Sequence, residues 1–148
     1  MKAVCQRVKK ATLFVDGELI SEIGNGFLVY VGYSTTDTKD NINKAINKIC
    51  GLRVFDDKDG KLNLSLSDIE GQMLLVSNFT IYGDCSRGFR PSFINSAKFD
   101  DANELYKYTL DEITKRGIDV KPCVFGGDMI IDSTADGPIN IIVDSEVL

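Results

Sequence analysis

The chain has 148 residues, of which 43% are hydrophobic and 26% charged, and its formal net charge is -5. This composition predicts a single compact domain over residues 1–148, and the negative charge argues against a strong nonspecific nucleic-acid binder. The chain contains no histidine, so Ser-His and Cys-His nucleophile pairs are excluded.

The cysteines and the amino terminus indicate where the protein works. The four cysteines are widely spaced and form no CxxC pair, as is typical of free thiols in a reducing compartment. The first residues lack the apolar run of a secretory signal, and no apolar stretch reaches the ~18 residues of a membrane span. We therefore expect a cytoplasmic protein that needs no metal and no cofactor.

The first half of the chain reads as strands followed by a helix. Residues 2–8 predict a strand, and residues 12–23 predict two short strands around Asp16-Gly17, a dipeptide that suits a tight hairpin turn. Residues 26–33 are apolar on both faces, as in a buried central strand. Between residues 38 and 52, apolar side chains recur at helical spacing, which predicts an amphipathic helix on the sheet.

The middle of the chain places polar residues at the end of a buried strand. Residues 53–55 predict a short strand, and residues 73–82 predict a long apolar strand whose end is polar. A loop over residues 83–91 follows, rich in turn residues. Polar residues at the end of a buried strand are a frequent place for a functional site.

A second helix and three strands complete the predicted elements. The helix is predicted over residues 101–116, with Asp101 and Glu104 as a capping box and Gly117 as its stop. The strands are predicted over residues 121–125, 129–133 and 139–144. These elements predict an α+β fold in which two main helices cover one sheet face. The other face then needs a second layer, from the chain itself or from a partner subunit.

Two segments resemble the signatures of a known enzyme family. SNFTI at residues 77–81 and DGPIN at residues 136–140 resemble the SQFTL and NxGPVT segments of the D-aminoacyl-tRNA deacylases. QRV, VDGE, IGNGFLVYVG, KDGKLNLSL, RGFRPSF and FGGDM also follow the family in order and spacing. The likeness therefore extends over essentially the whole chain.

The resemblance implies a fold and an activity. The fold would be a three-layer β/β/α domain that forms a homodimer with its active site at the subunit interface. The activity would be hydrolysis of the ester in D-aminoacyl-tRNA, and of mischarged glycyl-tRNA, as chiral proofreading of translation. The partner would then be the aminoacylated 3′ end of tRNA, with no role for DNA or a membrane.

The resemblance also implies the site residues. Ser77, Asn78, Phe79 and Thr80 would form the catalytic segment around the aminoacylated adenosine. Gly137-Pro138 would have a cis peptide bond and enter the active site of the other subunit, where its carbonyls exclude L-amino acids sterically. Three neighbouring residues would contribute to the same substrate-binding and chiral-selection region: Met129, Ile139 and Asn140.

Two departures from the family pattern concern these segments. Asn78 replaces the usual Gln and is one methylene shorter, so a direct hydrogen bond becomes water-mediated or is lost. Asn140 replaces the usual Thr, and Ile139 replaces Val, so the hydrogen bonds that support the Gly-Pro segment differ from those of the family. Both changes bear on activity and on the stringency of L-rejection.

Two routes to hydrolysis are compatible with these residues. Thr80 is the obvious protein nucleophile, but the sequence offers no base to activate it. We favour attack assisted by the terminal 2′-hydroxyl of the tRNA, or by a water that it orients, with backbone N–H groups near Phe79 and Thr80 as oxyanion donors. Phosphate contacts are predicted for the main local concentrations of positive charge: Arg7, Lys9, Lys10, Arg87 and Arg90.

Three alternatives remain open at this stage. One is a non-catalytic tRNA-end or nucleotide-binding module that keeps the family fold, which turnover of D-aminoacyl-tRNA would exclude. Another is an editing enzyme centred on glycine or another small residue, which a comparison of D-Tyr, Gly and L-Ala esters would separate. A metal hydrolase is the weakest alternative, because no His or Cys cluster has ligand spacing.

Overall fold

A long antiparallel ribbon of two strands dominates the computed structural model, which describes all 148 residues. Strand β1 (Lys2–Val15) pairs along nearly its whole length with β8 (Met129–Asp144). The first half of β1 also pairs with β3 (Gly26–Gly32), and its second half pairs with β2 (Glu18–Ile23). β1 therefore joins β2, β3 and β8 in one sheet.

The remaining strands complete a sheet that curls toward closure. β6 (Gln72–Ser77) lies parallel to β3, and β7 (Asp119–Pro122) lies parallel to β6. β2 approaches β7 from the other edge, where the Ser21 hydroxyl donates to the Pro122 carbonyl at 2.6 Å. The second layer predicted from the sequence is thus the curled half of the same sheet. A separate short hairpin consists of β4 (Phe55–Asp56) and β5 (Leu62–Leu64).

Two helices cover one face of the sheet. α1 (Lys39–Cys50) begins with a capping box in which Thr38 and Asn41 exchange hydrogen bonds, and its buried residues belong to the main hydrophobic core. α2 (Phe99–Lys115) is anchored by Tyr106, whose hydroxyl donates to a carbonyl of β6 at 2.9 Å. The structure confirms a small strand-rich domain with two helices. Neither helix combines the length and the apolar character that a membrane crossing needs.

The predicted start of the second helix is wrong by two residues. α2 begins at Phe99, after Lys98, which makes no side-chain capping bond. Asp101 therefore lies inside the first turn, where its carboxylate faces the positive end of the helix dipole and does not cap it. The predicted stop is confirmed, since Gly117 follows the helix with a φ of +78°.

The predicted strand over residues 73–82 is wrong in its second half. β6 ends at Ser77, and Phe79–Tyr82 form a 3₁₀ turn. The Asn78 side chain caps this turn by accepting the Thr80 N–H at 3.2 Å. The capping bond redirects the chain at the point where the apolar pattern alone predicts that the strand continues.

The strands predicted on either side of the Gly-Pro segment are one strand. β8 continues through Gly137-Pro138 because β1 pairs with it on both sides of this segment. The register between the two strands shifts around Val8, and this shift accommodates the Gly-Pro residues. In the same way, β1 is continuous where the sequence predicts two strands.

Candidate active site

A cavity of about 580 Å³ opens beside the carboxyl end of β6. Ligand sites of small molecules have volumes of ~300–1,000 Å³, so the cavity is large enough for a small-molecule ligand. One wall is formed by the ends of β3 and β6, and another by the start of α2 together with residues 125–127. Sixteen residues line it: Tyr30, Val31, Gly32, Tyr33, Val76, Ser77, Asn78, Phe79, Ala97, Phe99, Ala102, Phe125, Gly126, Gly127, Met129 and Ile131.

No lining residue carries a charge at neutral pH. The ionisable side chains of the lining are the tyrosines Tyr30 and Tyr33. Burial raises the pKa of both phenols above the ordinary value, and the Tyr33 hydroxyl donates to the Thr109 hydroxyl at 2.8 Å. Neither phenol can act as a general base near pH 7. The cavity therefore binds through apolar and hydrogen-bonding groups.

Asn78 forms hydrogen bonds with both β3 and the 3₁₀ turn at the end of β6. Its backbone N–H donates to the Val31 carbonyl at 2.7 Å, which fixes it to β3. Its Oδ1 accepts both the Thr80 N–H at 3.2 Å and the Thr80 hydroxyl at 2.5 Å. Oδ1 is engaged by Thr80, whereas the Nδ2 group of Asn78 has no acceptor within the chain, so Nδ2 is the candidate donor to a ligand.

Phe79 offers the one backbone donor that the turn leaves open. As the first residue of the 3₁₀ turn, it has no acceptor for its N–H within the turn, and it finds none elsewhere in the chain. The Thr80 N–H, which the sequence analysis also considered as an oxyanion donor, is already bound to Asn78. Phe79 and Asn78 both line the cavity, so the open N–H of Phe79 is a candidate donor to a ligand bound there.

Thr80 differs from its three neighbours in its position. Ser77, Asn78 and Phe79 line the cavity, whereas Thr80 does not. Its hydroxyl donates to an amide oxygen, and an amide oxygen is too weak a base to remove the proton. The Ser77 hydroxyl lies 3.5 Å from the Cys123 thiol, which is likewise not a basic partner. The geometry thus activates neither hydroxyl.

The Gly-Pro segment lies outside the cavity of its own chain. The Gly137-Pro138 bond is cis, as the resemblance implies, and both residues are exposed on β8. Of the residues proposed for chiral selection, Met129 lines the cavity, while Ile139 and Asn140 do not. Asn140 instead accepts a hydrogen bond from the Gln6 side chain at 3.1 Å.

Arg7 supports the Gly-Pro segment from beneath. Its side chain is almost completely buried, with 5% of the residue exposed. The guanidinium lies 3.0 Å from the carboxylate of Asp136, donates to the Val54 carbonyl at 2.8 Å and contacts the carboxylate of Asp56 at 3.3 Å. Its prediction as a phosphate-binding residue is therefore wrong, because a buried guanidinium with these partners does not reach an RNA backbone.

The other four basic residues are exposed. Lys9 contacts Asp136 at 3.1 Å, and Lys10 contacts Glu22 at 3.0 Å. Arg87 and Arg90 lie on the loop after the 3₁₀ turn, and neither forms an ion pair within the chain. All four can meet phosphates from solvent, so their assignment stays a prediction.

Several lining residues were missed by the sequence analysis. Phe125, Gly126 and Gly127 lie in the FGGDM segment, from which only Met129 was selected. Phe99 was missed because the helix was predicted to begin two residues later. Tyr30 lies in a strand that was predicted as wholly buried, yet it is only partly buried and lines the cavity. Only residues 125–127 could have been found from the sequence, because they lie in a segment that resembles the family.

The four cysteines are free thiols, as predicted, and burial raises the pKa of Cys5 to about 12. No group of three or more His, Cys, Asp or Glu side chains is arranged to hold a metal ion.

Comparison with known proteins assigns the family. The chain is 44% identical over 146 residues to the D-aminoacyl-tRNA deacylase of Clostridium kluyveri, covering 99% of this chain and 98% of the relative. It is 45% identical over 147 residues to that of Thermosipho melanesiensis, with the same coverage.

Two solved structures share its fold. A c-Myc DNA unwinding element binding protein superposes with a TM-score of 0.92 at 35% identity, covering 97% of this chain and 98% of the other. A probable eukaryotic D-amino acid tRNA deacylase superposes with a TM-score of 0.82 at 16% identity, covering 95% and 97%, which supports the fold alone. The sequence model described as D-Tyr-tRNA(Tyr) deacylase matches residues 4–144. The chain therefore belongs to the D-Tyr-tRNA(Tyr) deacylase family.

Proposed function

We propose that the protein hydrolyses the ester of D-aminoacyl-tRNA in the cytoplasm and releases the D-amino acid and free tRNA. Its family supplies the reaction class, a carboxylic ester hydrolase that acts on aminoacyl-tRNA. The observation that carries the proposal is the uncharged cavity, which is lined by Asn78 and by Phe79, whose N–H has no acceptor within the chain. Removal of D-amino acids from tRNA is a chiral proofreading step of translation.

The proposed mechanism depends on donors and not on a protein nucleophile. The aminoacyl ester is already activated, so the enzyme has to orient the attack and stabilise the negative oxygen of the tetrahedral intermediate. The Phe79 N–H and the Asn78 Nδ2 group are the donors for that oxygen. Attack comes from a water that the terminal 2′-hydroxyl of the tRNA orients, because the Thr80 hydroxyl is bound to an amide oxygen.

We propose that a second copy of the chain completes the site. Tyr30, Val4 and Ile142 occupy adjacent positions across three strands, and Ile142 is 76% exposed. This apolar row starts at the cavity, which Tyr30 lines, and crosses to β8, which carries the exposed Gly137-Pro138 segment. A twofold arrangement of two such faces would bury both rows and bring the Gly-Pro segment of each subunit to the cavity of the other.

Chirality would then be read by steric exclusion. When the ammonium and ester groups of the substrate are fixed, L- and D-residues direct their side chains to different places. Backbone carbonyls of the Gly-Pro segment would occupy the place of the L side chain. Glycine has no side chain to exclude, so glycyl-tRNA should be accepted as a substrate.

The decisive experiment compares release of amino acid from D-Tyr-tRNA, Gly-tRNA and L-Tyr-tRNA. The native protein should release D-Tyr and Gly and leave L-Tyr bound. Gly137→Ala should reduce discrimination, because the backbone there has a φ of +120° and an added Cβ would lie 2.8 Å from the Ile139 nitrogen. Gly60→Ala is the matched control, since its φ is +73° and nothing lies near an added Cβ.

Two results would contradict parts of this function. Equal hydrolysis of D- and L-Tyr-tRNA by the native protein would exclude chiral selection. No release from any ester, together with retained binding of the tRNA end, would support the non-catalytic binding module.

The proposed phosphate contacts are the exposed basic residues Lys9, Lys10, Arg87 and Arg90. Their removal should weaken tRNA binding in a salt-dependent manner.

A further inference from the structure

Two phenylalanine rings with large exposed fractions line the cavity. Phe79 is 57% exposed and Phe99 is 61% exposed. Each is held by the edge of a second ring: Phe79 by Phe93 with ring centres 5.0 Å apart, and Phe99 by Phe125 with ring centres 5.1 Å apart. Phe79 belongs to the wall that carries the reacting groups, whereas Phe99 belongs to the wall formed by α2 and residues 125–127.

The position of the Phe99 ring is fixed from two sides. Phe99 is the first residue of α2, and its ring meets Phe125 at an angle of 74° between the planes. The ring also lies against Gly126, where an added Cβ would be 2.5 Å from the ring carbon Cε2. Gly126 has a φ of +71°, a conformation that favours glycine. The chain thus uses a glycine to hold an exposed aromatic ring beside the cavity.

A nucleobase is the ligand that matches this ring. The lining carries no charge, so the Phe99 wall is not suited to a phosphate. The amino acid is held near Phe79 and Asn78, which are the donors for its ester. An exposed phenyl ring on another wall offers a flat apolar surface, and stacking on such rings is how proteins bind the bases of single-stranded RNA.

We propose that Phe99 is a stacking residue for a base of the single-stranded 3′ end of tRNA. This inference rests on the proposed function, which brings that end into the cavity. Phe99 then contributes to substrate binding and not to the chemical step. Its removal should raise the KM for D-Tyr-tRNA and leave kcat nearly unchanged.

The absence of tryptophan from the chain allows a direct test. Phe99→Trp creates a single fluorescent reporter, which we would titrate with the RNA trinucleotide CCA and with an abasic trinucleotide of the same charge. Saturable quenching by CCA, and much weaker quenching by the abasic RNA, is the expected result. Leu62→Trp is the control, because Leu62 is 54% exposed on β5 and does not line the cavity.

Substitution by alanine measures the contribution of the ring. Phe99→Ala should raise the Kd for CCA by about 5-fold to 160-fold, the range that stacking of one base provides, and Phe99→Tyr should retain the native Kd. Leu62→Ala should have no effect. Because the Phe99 ring is largely exposed, the alanine variant should keep the native fold, which circular dichroism would verify.

The outcomes separate this inference from the proposed function. If D-Tyr is released but Phe99→Ala leaves the KM and the Kd for CCA unchanged, Phe99 is not a stacking residue. Equal quenching by CCA and by abasic RNA has the same meaning. If the native protein releases no D-Tyr while CCA still quenches Phe99→Trp selectively, the stacking residue is supported and the catalytic function is not.

Discussion

The cavity and the Gly137-Pro138 segment are built in opposite ways. The cavity is formed by the ends of buried strands, and the Asn78 side chain is held by bonds from Thr80, two residues away in sequence. The Gly-Pro segment is exposed on β8 and is held from beneath by the buried Arg7, which lies far from it in sequence. If the cavity sets the rate and the Gly-Pro segment sets discrimination, as proposed above, mutations in one region should change one property without the other.

The largest expected effect on rate is that of Asn78→Asp. The carboxylate keeps an acceptor for the Thr80 N–H and hydroxyl, but it loses the Nδ2 donor and adds a negative charge to an uncharged cavity. Loss of one oxyanion donor typically lowers kcat by about 10²-fold to 10³-fold. Single-turnover hydrolysis of D-Tyr-tRNA would measure it, and the ratio of D to L hydrolysis should not change.

Asn95→Asp is the matched control for charge. Asn95 is exposed outside the cavity, so its variant should keep the native kcat. A native kcat in Asn78→Asp would show that Asn78 donates nothing to the transition state. The role of oxyanion donor would then remain with the Phe79 N–H alone.

Arg7→Met should act on the other region. Loss of the Arg7 guanidinium leaves Asp136 without its buried partner and should lower the free energy of unfolding by about 2–4 kcal/mol. Because Asp136 precedes Gly137, the segment should become mobile, and hydrolysis of L-Tyr-tRNA should rise relative to that of D-Tyr-tRNA. Urea denaturation and the two hydrolysis rates would measure these effects.

Lys10→Met on the same strand is the control for Arg7. Lys10 is exposed and pairs only with the exposed Glu22, so its loss should cost at most about 1 kcal/mol. Equal losses of stability in the two variants would contradict the structural role of Arg7. Unchanged discrimination in Arg7→Met would separate the support of the segment from the selection of chirality.

The burial of Arg7 was foreseeable from the sequence in one respect. Alternation along a strand places Arg7 on the same face as Ala3 and Cys5, both of which are buried. The local positive charge, in contrast, predicts a contact with RNA phosphates. What the sequence could not supply is the partner, because Asp136 reaches Arg7 only through the pairing of β1 with β8.

The hairpin at Asp16-Gly17, the first helix and the stop of the second helix follow from local rules, and the structure confirms them. The continuity of β8 does not follow from local rules, because a Gly-Pro pair usually marks a turn. The strand that pairs with β8 is β1, which lies more than a hundred residues away in sequence. Similarly, the family motif located the end of β6, but the apolar pattern could not show that a side-chain cap ends this strand.

Thr80 provides the smallest expected effect on rate. If its hydroxyl serves only to orient Asn78, Thr80→Ala removes one hydrogen bond of about 0.5–1.5 kcal/mol, and kcat should fall by about tenfold at most. Thr80→Ser, which keeps the hydroxyl, should restore the native rate in the same single-turnover assay. If Thr80 were the nucleophile, its loss would instead lower kcat by several orders of magnitude, as the removal of a catalytic hydroxyl does in other hydrolases. The size of the loss in Thr80→Ala therefore decides whether the cavity works through its donors or through a covalent intermediate.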